Sequence, residues 1–164
     1  MRILLCSALA AVAGLTLCAA EPAEQAPSAK AAITSDQMVK FVEEAAAYVQ
    51  KAGKEAALKE FSNPKGKFVR ENGQLYIYAY DFNCVCLAHG FTPDKVGKDL
   101  TGYKDSKGLL VIQKLRDTVA KDGKGFVKFH WVNPATGKEE PKVGYVVKAD
   151  GTFWLGSGIY SGAK

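Results

Sequence analysis

Two groups of residues could carry chemistry. The first is Cys84-Val85-Cys86, with His89 close behind. On an extended strand, residues two apart face the same way. Two thiolates and an imidazole are good ligands for zinc or copper. The same thiols could oxidise to a disulfide, although same-face neighbours on one strand close a strained one. A plainer reading also stands: Cys86 is a small buried apolar residue and Cys84 a turn residue. Three ligands in a row leave a metal site incomplete, so no metal is assigned.

The second group is aromatic and basic. Tyr76, Tyr78 and Tyr80 alternate along one run and share a face. Trp131 ends a second run, and Lys142 and Tyr145 lie on a third. If these runs are neighbouring strands, aromatic walls, a phenol and an ammonium converge on one concave face. That combination suits a small carboxylate: the ammonium neutralises charge, phenols donate hydrogen bonds and aromatic rings exclude water. Spacing alone is equally compatible with ordinary half-buried strand tyrosines and a solvated lysine. Trp154 and Tyr160 fit core or rim roles equally well.

Neither group forms a recognisable catalytic constellation. Covalent catalysis needs a nucleophile and a base held together, and the chain has two histidines, His89 and His130. There is no Gly-x-Ser-x-Gly elbow, phosphate loop, dinucleotide fingerprint, His-Glu-x-x-His or Cys-x-x-Cys-His. The expectation is a protein that is not an enzyme and needs no cofactor.

The elements that must position these residues can be read from periodicity. Thr34-Ser35-Asp36-Gln37 has the form of a capping box. Behind it Met38, Phe41, Val42, Ala45, Val49 and Ala52 recur at helical spacing. Gly53 interrupts, and Lys54 to Phe61 forms a second helical piece ended by Ser62-Asn63-Pro64. From Leu75 the period becomes two, predicting a strand to Tyr80, a turn at Asp81-Phe82-Asn83 and a returning strand from Cys84 to His89. Phe91 to Gly108 is a long excursion rich in Gly, Asp, Lys and Pro. Leu109 to Ala120 returns to helical spacing. Strands are predicted at Gly125–Val132, Pro141–Lys148 and Thr152–Ile159, separated by turn residues. Consecutive strands predict an antiparallel sheet with the helices on one side.

Composition places the chain in a cellular setting. With 164 residues there is room for one ordinary domain, and 48% hydrophobic with 24% charged residues suits a folded soluble one. The net charge is +5, but the basic residues are scattered, which excludes a phosphate-tracking nucleic-acid surface. Residues 1–20 read as a signal peptide: Met1-Arg2 is the positive start, Ile3 to Leu17 is apolar, and Cys18-Ala19-Ala20 offers small residues for cleavage. The apolar run is short for a membrane span. Leu15-Thr16-Leu17-Cys18 also resembles a lipoprotein box acylated at Cys18, but Leu17 is too large for the usual small residue before the cysteine. Residues 21–33 read as a flexible linker and residues 34–164 as the domain. The mature protein is expected to be periplasmic or secreted.

The segment Tyr80-Asp81-Phe82-Asn83-Cys84-Val85-Cys86-Leu87-Ala88-His89 resembles the Tyr-Asp-x-x-Gly-x-x-Leu-Ala-His signature of single Cache domains. The resemblance continues through Val96-Gly97-Lys98-Asp99-Leu100, Lys104 to Gly108, Gly125, Trp131-Val132-Asn133-Pro134, Pro141-Lys142-x-x-Tyr145 and Gly156 to Tyr160. It implies an α+β, PAS-like domain with a long N-terminal helix packed on a five- to six-stranded antiparallel sheet. It further implies an extracytoplasmic sensor of the chemotaxis and signal-transduction type, holding a small organic acid. The pocket residues it implies are Tyr80, His89, Trp131, Lys142 and Tyr145. The family's turn glycine is Cys84 here, so that turn is either altered or stabilised by a Cys84–Cys86 bridge. The sequence shows no signalling region before Lys164, so the expected partner is a membrane-bound sensor kinase, chemoreceptor or transporter. A homodimer is compatible with the sequence. Two other readings are carried forward: a ligand-free interaction or scaffold protein, and a redox or metal protein centred on Cys84, Cys86 and His89.

Overall fold

The computed structural model describes residues 32–161. The signal-peptide and Cys18 readings, and most of the linker, lie outside those residues. The capping box is formed: the Thr34 hydroxyl accepts from the Gln37 N–H at 3.2 Å, and the Gln37 side chain accepts from the Thr34 N–H at 2.8 Å. It starts helix α1, Ser35–Ala52. Ile33, assigned to the linker, packs against the core instead, because a hydrophobic residue just before a helix can bury against its first turn. Gly53, at φ 84°, ends α1 and admits α2, Lys54–Phe61.

The alternating tyrosine run is not one strand. Val69–Arg70 (β1) pairs with Leu75–Tyr76 (β2), while Tyr78–Asp81 (β3) joins the main sheet. Ile77 is the break: its N–H donates to the Phe68 carbonyl at 3.3 Å, and its carbonyl accepts from the Gly90 N–H at 2.9 Å. Cys86–His89 (β4) follows, then helix α3, Val111–Asp122. Lys124–Val132 (β5), Glu139–Lys148 (β6) and Phe153–Tyr160 (β7) complete an antiparallel sheet of order β4-β3-β7-β6-β5.

The expectation that the helices share one side is overturned. Helices α1 and α2 cover one face around Met38, Phe41, Val42, Phe61, Phe153 and Leu155. Helix α3 covers the other, where Ile112, Leu115 and Val119 meet Tyr78, Tyr80, Phe129 and Trp154. Strand alternation made both faces apolar: Ala79, Tyr145 and Leu155 point to α1, while Tyr78, Tyr80, Val146 and Trp154 point to α3. Each face needs its own cover to leave water, at about 1.5–3 kcal/mol per large side chain buried.

Among the described residues, no helix is long and apolar enough to cross a membrane.

Candidate functional site

Between the sheet and α3 lies a chamber lined by Tyr76, Tyr78, Tyr80, His89, Val111, Ile112, Leu115, Phe129, Trp131 and Lys142. Its free volume is about 10 Å³, roughly the room one water needs. The rings fill it: Tyr80 stacks on Trp154 with centroids 5.1 Å apart, and Tyr76 lies 5.0 Å from His89.

Lys142 is the unusual member. It reaches the α3 face from β6 by strand parity, as do Gly144 and Val146. Its side chain runs beside Gly158, where a Cβ would stand 2.6 Å from Lys142 Cε. The residue is 2% exposed. Its ammonium donates to Tyr76 Oη at 2.9 Å and Tyr160 Oη at 3.2 Å, and lies 4.3 and 4.5 Å from those ring centroids. Tyr160 passes its own proton on, donating to the Val132 carbonyl at 2.8 Å. No carboxylate among the described residues pairs with Lys142. An ammonium has three donors, and two are engaged. Burial pulls its pKa from 10.5 down to about 7.

His89 is held as a neutral donor. Its Nδ1 accepts from the backbone N–H groups of Phe91 at 3.3 Å and Thr92 at 2.9 Å, leaving the proton on Nε2. Burial, and then the charges of Lys142 and Lys95, lower its pKa to about 3. A bulge places it there. In the pairing of β3 with β4, Tyr78 faces His89 and Ala79 faces Ala88, but Tyr80 faces Cys86, so Leu87 is skipped. That extra residue turns Cys86 and His89, three apart, toward the same face.

Of the five expected pocket residues, Tyr80, His89, Trp131 and Lys142 come together here, and Tyr145 does not. Three residues from Lys142 on one strand, Tyr145 must point to the opposite face. It lies in the α1-side core with its ring 4.8 Å from Phe126. Tyr76 and Tyr78, expected on one face with Tyr80, also line the chamber, and Tyr160, read as core or rim, meets Lys142. The shared face of Tyr76, Tyr78 and Tyr80 was visible in the sequence, but the contact from Tyr160 to Lys142 depends on β6 pairing with β7.

The Cys84–Cys86 bridge is not formed: both residues are free, buried thiols. Their sulfurs serve different partners. Cys84 Sγ accepts from Arg116 at 3.5 Å, and the Cys86 thiol donates to the Ala88 carbonyl at 3.6 Å. The turn keeps its left-handed shape without glycine, with Cys84 at φ 66°. A residue with a Cβ pays for that conformation. Nor do Cys84, Cys86 and His89 form a ligand set; among the described residues no group of three His, Cys, Asp or Glu converges. Burial raises the Cys86 thiol to about 11 and raises Cys84 as well. Neither is a ready nucleophile or metal ligand at neutral pH.

The family model described as Single Cache domain 2 matches residues 23–162. The chain belongs to that family. A solved methyl-accepting chemotaxis protein from Vibrio parahaemolyticus is 27% identical, with a TM-score of 0.66 over 76% of this chain and 86% of that one. A periplasmic sensor domain of a chemotaxis protein is 28% identical, with a TM-score of 0.60 over 75% and 87%. A structure titled for carboxylic acid recognition by a Cache chemosensory domain shares the fold at 24% identity, with a TM-score of 0.66 over 77% and 92%. This Cache domain is therefore an α+β sensor fold whose relatives serve chemotaxis receptors, and its chamber lies between the five-stranded sheet and α3.

Proposed function

We propose that this Cache domain works outside the cytoplasm as a binding module for a short carboxylate and reports its state to a membrane partner such as a chemoreceptor, sensor kinase or transporter. One observation carries the reading: a buried ammonium, Lys142, has phenol partners only and a third donor to spare. Burying a cation without a counter-charge is costly. A carboxylate entering the chamber would supply that charge and accept from Lys142 and from His89 Nε2–H. The reading is one of binding without catalysis. The solved relatives named for periplasmic sensing and, at the level of fold, for carboxylic acid recognition support it.

The chamber's small free volume favours a second reading, a ligand-free interaction domain whose pocket is filled by its own rings. Titration calorimetry against acetate, propionate, pyruvate and lactate decides between them. Binding tighter than millimolar supports the sensor, and no heat from any of the acids supports the scaffold. A shift of chamber resonances on adding acid would locate the site.

A further inference from the structure

A second ammonium lies beside the same chamber. Lys95 belongs to the short turn Pro93–Lys95, in the loop that leaves β4. This loop is tied to the strand: the Gly97 N–H donates to the Cys86 carbonyl at 2.8 Å, and the Cys86 N–H donates to the Lys98 carbonyl at 3.0 Å. Lys95 Nζ stands 4.8 Å from the Trp131 ring centroid and 5.2 Å from that of Tyr103, and those two rings are 4.7 Å apart. Trp131 is a wall of the chamber. Lys95 is half-buried, and among the described residues it has no hydrogen-bond or ion-pair partner for its side chain. The nearest acids in sequence do not serve it: Asp94 makes no ion pair, and Asp99 is engaged by Thr101.

The charges of Lys95 and Lys142 both reach His89, which is neutral. No carboxylate lines the chamber beside Lys142, and at the rim Asp105 and Glu139 act on Tyr103 without pairing with Lys95. Aromatic faces offset part of the two ammonium charges and leave the rest. A monocarboxylate neutralises one of the two cations; a dianion neutralises both.

Resting on the carboxylate reading above, the geometry points to Lys95 as a specificity-determining residue that makes the site prefer a short dicarboxylate to a monocarboxylate. Lys142 holds one carboxylate inside the chamber, and Lys95 takes the second beside Trp131. Malonate and propionate have the same number of carbons and differ by one carboxylate, so they isolate this contact.

The test is calorimetry of both acids with the wild type, Lys95→Met and Lys95→Arg, with thermal melts to show that each variant folds. The expected result is that the wild type binds malonate at least tenfold tighter than propionate. Lys95→Met should erase that margin while leaving propionate within about twofold, and Lys95→Arg should keep most of it. Equal losses for both acids, or no change for either, would overturn the role of Lys95. If the wild type binds a monocarboxylate but does not favour malonate, the carboxylate site stands and the dicarboxylate preference falls. If the wild type binds no acid at all, both fall together. A melt showing Lys95→Met unfolded would leave Lys95→Arg and the wild-type preference to decide.

Discussion

Lys142 is the residue on which the chemistry turns, and its burial sets a measurable pH dependence. The folded pKa of about 7 lies below the ordinary 10.5. Between those values the unfolded chain binds more protons than the folded one, so stability rises with pH across that window. Lys142→Met should flatten the rise, leave stability at pH 7 equal or higher, and abolish carboxylate binding. Denaturant titrations between pH 6.5 and 10 would measure it. The same linkage acts on the ligand: above about pH 7 a bound carboxylate must recruit a proton to Lys142. Affinity should therefore fall as pH rises, and calorimetry in buffers of different ionisation enthalpy should show proton uptake. His89 acts lower down. Its pKa is reduced from 6.5 to about 3, so the stability it contributes is complete above 6.5 and lost as the pH falls toward 3. His89→Gln should remove that acid-side slope.

At the scale of elements, the site depends on glycines that leave room on β6 and β7. A Cβ at Gly158 would stand 2.6 Å from Lys142 Cε and 3.0 Å from the Val143 carbonyl. Gly158→Ala should displace the ammonium, weaken acid binding and cost about 1–3 kcal/mol of stability. A Cβ at Gly156 would meet the Tyr145 carbonyl, which is backbone, at 2.6 Å, so Gly156→Ala should destabilise more. Thr34→Ala supplies the contrast: it removes the α1 cap, costs about 1 kcal/mol, and should leave affinity unchanged because α1 covers the opposite face. Element boundaries were largely readable from sequence, since the capping box, Gly53 and the turns carry local signals. The break at Ile77 was not, because it is fixed by hydrogen bonds to Phe68 and Gly90, the first nine and the second thirteen residues away.

For the whole molecule, one sheet separates two differently built faces. The α1 face is a continuous apolar core. The α3 face is apolar too, but it encloses tyrosine hydroxyls, a neutral imidazole and an ammonium. With about 10 Å³ free, the chamber would have to widen to take the proposed acid, and α3 with the loop before it is the cover opposite the sheet. Asp105 pins that loop: its Oδ1 accepts from the Lys107 and Leu109 N–H groups, and its Oδ2 from the His130 N–H at 2.9 Å. Hydrogen exchange should show α3 amides opening more readily than β6 and β7, and slowing when an acid binds. A saturating acid at a hundredfold its Kd should add about 2.7 kcal/mol of stability.

The sequence by itself determined the kinds of element and the family resemblance, and that resemblance named four of the ten residues that line the chamber. It could do so because caps, turns and alternation act over a few residues, and motif order survives in the chain. It misplaced Tyr145, put the helices on one side and left the fate of Cys84 and Cys86 open. Those matters were decided by tertiary structure. Strand parity sent Tyr145 away from Lys142, a bulge at Leu87 turned His89 and Cys86 to one face, and the second apolar sheet face required α3. The charge state of Lys142 belongs there as well, because desolvation depends on what surrounds a side chain and not on which residue it is.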